Sequence, residues 1–234
     1  ALHRPFADRR YRYRHLATAR RKQASGAALI ADNGKRPVLR SSQDVVHLDG
    51  FAVVIDPQRD IDRVTEVLDR HGLNVTHVLE THIHNDYVTG GLQLARDLAA
   101  TYVVPAGYEL RYEALQLSDG DAFTAGPMAW RALHTPGHTP QHLSYVVAIE
   151  GIDAAAFTGG SLLYGSVGRP DLIGPDMTQE LAHAQWHSVR RLTSEVAKDE
   201  PLVLICRTGN RTDVLARHLV EQLGEPGSED LERL

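Results

Sequence analysis

From Val45 to Cys206 the chain is a succession of short apolar runs, each closed by glycine, proline, aspartate or a polar turn. That rhythm allows strands alternating with helices and little else. The segment VVHLDGFAVVID places two β-branched runs around Asp49-Gly50 and predicts a hairpin. Asp60 is the predicted N-cap of a helix with Ile61, Val64, Val67 and Leu68 on one stripe and Gly72 as its stop. VTHVLET reads as a buried strand ending at Thr81. A helix over about 91–99, a strand TYVVP, a helix around YELRYEALQL and an Asp-Gly-Asp turn at 119–121 follow. MAWRALHT, LSYVVAI and AAAFTG are predicted strands. Pro175 to Thr178 opens a long amphipathic helix to about Lys198, PLVLIC is a further strand, and a helix is predicted from about Arg211 to Leu223. With no internal repeat, the pattern is that of an α/β sandwich of sheets flanked by helices, with reactive residues collected where strands give way to loops.

A chain of 234 residues that is 42% hydrophobic can build one large core with additions. No apolar run approaches the ~20 residues of a membrane span, and no secretory pattern opens the sequence, so a soluble, cytoplasmic protein is expected. The lone cysteine, Cys206, excludes an internal disulfide and a multi-cysteine zinc site. The net charge of -5 hides an asymmetry: residues 1–40 carry eleven Lys or Arg against Asp8 and Asp32, which leaves the remainder strongly acidic. Residues 1–40 are read as a basic arm lying on that acidic body, because no recognition motif accompanies the arginines; nucleic acid is not the expected partner.

Three places concentrate chemistry. ETHIHNDYVTG, at 80–90, has His82 and His84 two apart in a tight segment, where both can face one cation, with Asp86 directed toward a second position. HTPGHTPQH offers His134, His138 and His142, with Pro136 and Gly137 forcing a turn that lifts His138 off the strand end. Neutral imidazoles from two separate turns suit zinc or iron. The third place is CRTGNR. A loop from Cys206 over a helix N-terminus, with Arg207 and Arg211 adding positive charge, favours a thiolate or persulfide. The Cys206 to Arg211 spacing is one residue shorter than that of cysteine phosphatases.

THIHNDYVTGG, LHTPGHTPQHLSY, AFTGGSLLYGSVGRPDL and VVIDPQRD resemble the metallo-β-lactamase superfamily, in the branch of glyoxalase II-like hydrolases and persulfide dioxygenases, over about 45–192. CRTGNR resembles the active loop of rhodanese sulfurtransferases. The resemblance implies an αββα sandwich with a metal site at one sheet edge, holding two zinc or iron ions in hydrolases and a single iron(II) in the dioxygenases. It implies that His82, His84 and His138 are ligands of the first metal position and Asp86 of the second.

Three departures stand out. Tyr87 replaces the last histidine of the H-x-H-x-D-H motif, Gly160 replaces an expected carboxylate, and no closing Thr-His-Gly segment follows the long helix. One divalent metal, zinc or iron(II), weakly held or lost, is the expected cofactor. His134 and His142 are expected to support loops, and Arg169 and Asp171 to fix the GRPDL loop.

The domains are then the arm at 1–40, the metallo-β-lactamase-like domain at 41–199, and a rhodanese-like strand–loop–helix segment at 200–234. That last segment is too short for a rhodanese domain, which needs roughly a hundred residues. Either it is truncated, or PLVLIC occupies the final strand of the sandwich. The expected function is an enzyme of sulfur metabolism, a persulfide dioxygenase-like or thioester hydrolase-like protein with Cys206 carrying sulfur. The small-molecule substrate would be a persulfide, thioester or thiosulfate, and a homo-oligomer is compatible. The alternative is a catalytically silent scaffold whose basic arm binds a partner.

Overall fold

The computed structural model describes residues 45–84, 87–163 and 166–196, with the backbone of strand residues 27–28, 40–42 and 203–206. The strands and helices run in the order β1 (Ala27–Ala28), β2 (Arg40–Ser42), β3 (Val45–Leu48), β4 (Phe51–Ile55), α1 (Asp62–His71), β5 (Asn74–Leu79), α2 (Gly91–Asp97), β6 (Thr101–Pro105) and β7 (Leu115–Leu117). There follow β8 (Ala122–Ala125), β9 (Met128–His134), β10 (Leu143–Ile149), β11 (Ile152–Gly159), α3 (Pro175–Glu195) and β12 (Val203–Cys206). β1 to β7 form one sheet in sequence order, and the second sheet runs β12-β11-β10-β9-β8.

The period-2 alternation of each strand sorts its side chains between two interfaces. Val46, Leu48, Val53 and Ile55 face inward, where they meet Met128, Trp130, Tyr145, Val147 and Phe157 of the other sheet. Val45, Ala52 and Val54 face outward against Val64, Val67 and Leu68 of α1 and Leu94 of α2. On the far side, Leu133, Val146 and Ala156 pack against Val189 and Leu192 of α3. The result is the four-layer αββα sandwich. No helix among the described residues is long and apolar enough to cross a membrane.

The hairpin forms as the Asp-Gly pair dictates, with φ of 51° at Asp49 and 83° at Gly50 between antiparallel β3 and β4. Gly72 ends α1 in the left-handed conformation. Other expectations fail. Asp60 does not cap α1: Ile61 holds the N-cap position without a side-chain bond, and Asp62 supplies the acidic first turn. No helix forms around YELRYEALQL. Leu110 and Ala114 still pack against the outer core, but Leu115–Leu117 pairs with β6, so sheet pairing overrides helical propensity. β8 was not legible because the four residues AFTA, half of them alanine, are too short to show a period; it is stabilised by pairing with β9.

β12 lies parallel to β11 with Cys206 opposite Gly159, so this strand occupies the edge of the second sheet. The basic arm, Asp86, Arg207, Arg211 and the helix expected at 211–223 lie outside the described residues, save for β1 and β2.

Candidate metal centre

The C-terminal ends of β4 and β5 stop beside the turns that follow β9 and β11, the edge at which open α/β sheets place ligands. The backbone ties these ends together: Leu143 N–H donates to Thr81 O (2.8 Å), Asp56 N–H to Leu79 O (2.8 Å), and the Tyr145 hydroxyl to Glu80 O (2.9 Å).

One carboxylate organises the first turn. Asp56, left-handed at φ 49°, accepts the Thr81 N–H at Oδ1 and the Thr81 hydroxyl at Oδ2, both at 2.7 Å. Because that hydroxyl proton is committed to Asp56, Thr81 Oγ1 accepts from His82 Nδ1 at 2.8 Å. The lone pair of His82 is thereby assigned to Nε2.

His84 is buried, with a side-chain exposure of 1%. Its Nε2 lies 3.2 Å from Asp56 Oδ1 and 3.5 Å from Glu80 Oε2, near enough for charge attraction but out of hydrogen-bond alignment. Burial alone would lower the His84 pKa; the hydrogen-bonding reach and charges of Asp56 and Glu80 outweigh it and raise it to about 9. Burial likewise opposes charge on Asp56, but His84 and then His82 hold that carboxyl below its ordinary value, whereas burial lifts Glu80 above its own.

His138 enters from the Pro136-Gly137 turn. Its Nδ1 donates to Arg169 O at 3.0 Å, which assigns the lone pair of the neutral ring to Nε2. The ring centroids of His82 and His84 are 4.1 Å apart, and those of His82 and His138 are 4.8 Å apart. Ligand atoms of Asp56, His82 and His84 lie within 4.8 Å of one another. No hydrogen bond satisfies either nitrogen of His84, the kind of buried mismatch that a cation resolves. Imidazoles backed by a buried carboxylate fit a divalent cation of the zinc or iron type.

Residues 45–208 match the metallo-beta-lactamase superfamily. The chain belongs to that family. Among curated relatives, the hydroxyacylglutathione hydrolase of Methylococcus capsulatus is 35% identical over 145 residues, 61% of this chain and 52% of that protein. The chain therefore spans about half the length of the curated relatives it matches. Among solved structures, a metallo-beta-lactamase from Staphylococcus aureus subsp. aureus COL superposes with a TM-score of 0.70 at 23% identity, covering 85% of this chain and 64% of that one. ETHE1 from Myxococcus xanthus superposes with a TM-score of 0.62 at 22% identity, covering 89% and 95%. At those identities the structures speak for the fold.

Within this metallo-beta-lactamase fold the two substituted positions have definite roles. The Tyr87 hydroxyl donates to Asp56 O at 3.0 Å, and its ring lies 4.2 Å from that of His84, so it roofs the histidine. At Gly160 a Cβ would come 2.2 Å from His138 Cδ2, and at Gly168 it would come 2.8 Å from His138 Nδ1. His138 thus stands in a slot between two glycines.

His142 is fully buried and engaged at both nitrogens, with Thr135 Oγ1 at 3.0 Å and the donating Gly160 N–H at 3.1 Å. Burial, then the neighbouring imidazoles, push its pKa well below the usual value, so it supports the turn as a neutral ring. His134 is exposed, its Nε2 3.0 Å from Pro140 O. Arg169 and Asp171 pair with each other in solvent while Arg169 O holds His138.

Sequence reasoning missed Asp56 and Glu80, although both stood in quoted segments. The available signal was an acidic residue directly after a strand that ends in buried apolar side chains, Val54-Ile55 before Asp56 and Val78-Leu79 before Glu80, a position that buries a charge and so demands partners.

Proposed function

We propose that the chain acts as a metalloenzyme with a single divalent cation, zinc or iron(II), on a small thioester or persulfide, with Cys206 as a sulfur-carrying thiolate. The observation that carries this reading is the cluster of His82 and His84 with Asp56, whose ligand atoms lie within 4.8 Å of one another, with the His138 ring 4.8 Å from that of His82 and the buried nitrogens of His84 lacking hydrogen-bond partners. His82 through Nε2, His84 through Nδ1 and His138 through Nε2 would hold the cation. A divalent ion held this way supplies Lewis acidity and lowers the pKa of a bound water.

The chain's own residues do the rest. Thr81 and Asp56 hold the His82 ring, Arg169 O holds His138, and Tyr87 covers one side of His84. The register that sets Cys206 opposite Gly159 puts its backbone one residue from the glycine that borders His138, which supports a role for the cysteine at this edge. Arg207 and Arg211 would favour its thiolate. The hydroxyacylglutathione hydrolase relatives support the thioester class.

A second reading, a scaffold without turnover, is favoured by Gly160, which offers no carboxylate, and by the engagement of the Tyr87 hydroxyl with backbone.

Elemental analysis of the wild type beside His82→Ala and His138→Ala, together with hydrolysis of a glutathione thioester and oxygen uptake with glutathione persulfide, decides between them. The enzyme reading expects bound metal and one of the two activities in the wild type, both lost in the variants. It expects thioester hydrolysis to survive Cys206→Ser and thiosulfate-to-cyanide sulfur transfer to be lost. Equal, near-zero occupancy and background turnover in all three proteins would leave the scaffold.

A further inference from the structure

Glu80 is 3% exposed and is placed with more care than a strand-end residue needs. Its Oε1 accepts the Thr89 hydroxyl and, at 3.1 Å, the Tyr102 hydroxyl. The start of α2 leaves room for this carboxylate only because residue 91 is glycine: a Cβ there would sit 2.2 Å from Oε1. Those two donors use one oxygen and orient the other. Oε2 has no hydrogen-bond partner, is buried, and lies 3.5 Å from His84 Nε2, while Asp56 Oδ1 lies 3.2 Å from the same nitrogen. A buried carboxylate oxygen held toward an unmatched imidazole nitrogen is costly unless the nitrogen carries a proton to share.

We infer that Glu80 is a positioning residue which, with Asp56, takes the Nε2–H of His84 between two carboxylates, turns Nδ1 toward the cation, and supplies from behind the ring the negative charge that Gly160 does not provide. The inference rests on the metal reading above. Its logic is that of a carboxylate behind a metal-bound histidine, which fixes the tautomer and raises ligand basicity. Tyr102 and Thr89 aim the carboxylate; the charge on Glu80 is what acts.

Cobalt(II) titration of the full chain tests this, with affinity read by chelator competition and ligand geometry by the visible d–d bands. Glu80→Gln keeps shape and removes charge, and is expected to weaken cobalt by about 10- to 100-fold and to shift the bands. Tyr102→Phe removes one bond to Oε1 but not the charge, and is expected to stay within about threefold of wild type. If Glu80→Gln fails to fold, Glu80→Asp, which draws the charge back by one methylene, carries the same expectation of a weakened, shifted complex.

A folded Glu80 variant with wild-type affinity and bands, while His82→Ala loses cobalt, overturns the role of Glu80 and leaves the metal centre standing. Equal losses in Glu80→Gln and Tyr102→Phe with unchanged bands would make Glu80 a packing element and also overturn it. A wild-type chain that takes up no cobalt removes both readings together.

Discussion

The ring of His138 lies against Gly160 so closely that a Cβ on the glycine would come 2.2 Å from its Cδ2 and 2.9 Å from its Nε2. The glycine is therefore coupled to the histidine: the absence of a side chain at 160 is what admits the ring in its present position.

Restoring a carboxylate at this position should thus damage the site. Gly160→Asp is expected to displace His138 and lower metal affinity at least about tenfold, and Gly160→Ala to cost about 1–3 kcal/mol of stability through overpacking. Chelator competition and thermal melts read the two effects. Tighter metal binding by Gly160→Asp would show that the ring moves aside at no cost.

Tyr87→His should leave the metal stoichiometry at a single ion. The new imidazole would lack a bridging carboxylate opposite it, and the substitution removes the hydrogen bond from the tyrosine hydroxyl to Asp56 O, worth about 1 kcal/mol. Elemental analysis of the variant decides this; a doubled metal content would refute it.

Metal uptake should depend on pH through His84. Its pKa is raised to about 9, so at neutral pH the metal-free ring carries two protons, and binding at Nδ1 must release one. Apparent affinity should rise about tenfold per pH unit up to roughly pH 9 and then level off, and calorimetry in buffers of different ionisation enthalpy should count the released proton. The same shift gives the metal-free protein a contribution to stability that is present below the unfolded pKa of about 6.5 and is lost as pH rises toward 9. A flat affinity between neutrality and pH 9 would contradict this account of His84.

His142 has the opposite sign. Its folded pKa lies well below the usual value, so its contribution is present above about pH 6.5 and is lost as acid protonates the unfolded chain. His142→Gln is expected to flatten the acid limb of a stability–pH curve, and to lose about 1–3 kcal/mol at neutral pH because Gly160 N–H and Thr135 are left poorly matched. Urea melts across the acid range measure both; an unchanged acid limb would remove the assignment.

Local patterning in the sequence determined the layers. The alternation of Val45, Val46, Val53 and Val54 sorts these residues between the two faces of a sheet, and Asp49-Gly50 sets the hairpin, because strand period and turn chemistry act between near neighbours. The two histidine turns were legible for the same reason.

What required the tertiary structure was every relation across long sequence separation. Asp56 reaches Thr81 over 25 positions, Arg169 O holds His138 over 31, and a glycine at 160 opens room for a ring at 138. The helix expected at YELRYEALQL gave way to an edge strand on the same ground, since pairing with β6 outweighs a propensity of a few tenths of a kcal/mol per residue, about the usual spread among helix formers. Donors follow from residue types and spacing, but their ionisation and orientation follow from the charges packed behind them, which only the folded chain brings together.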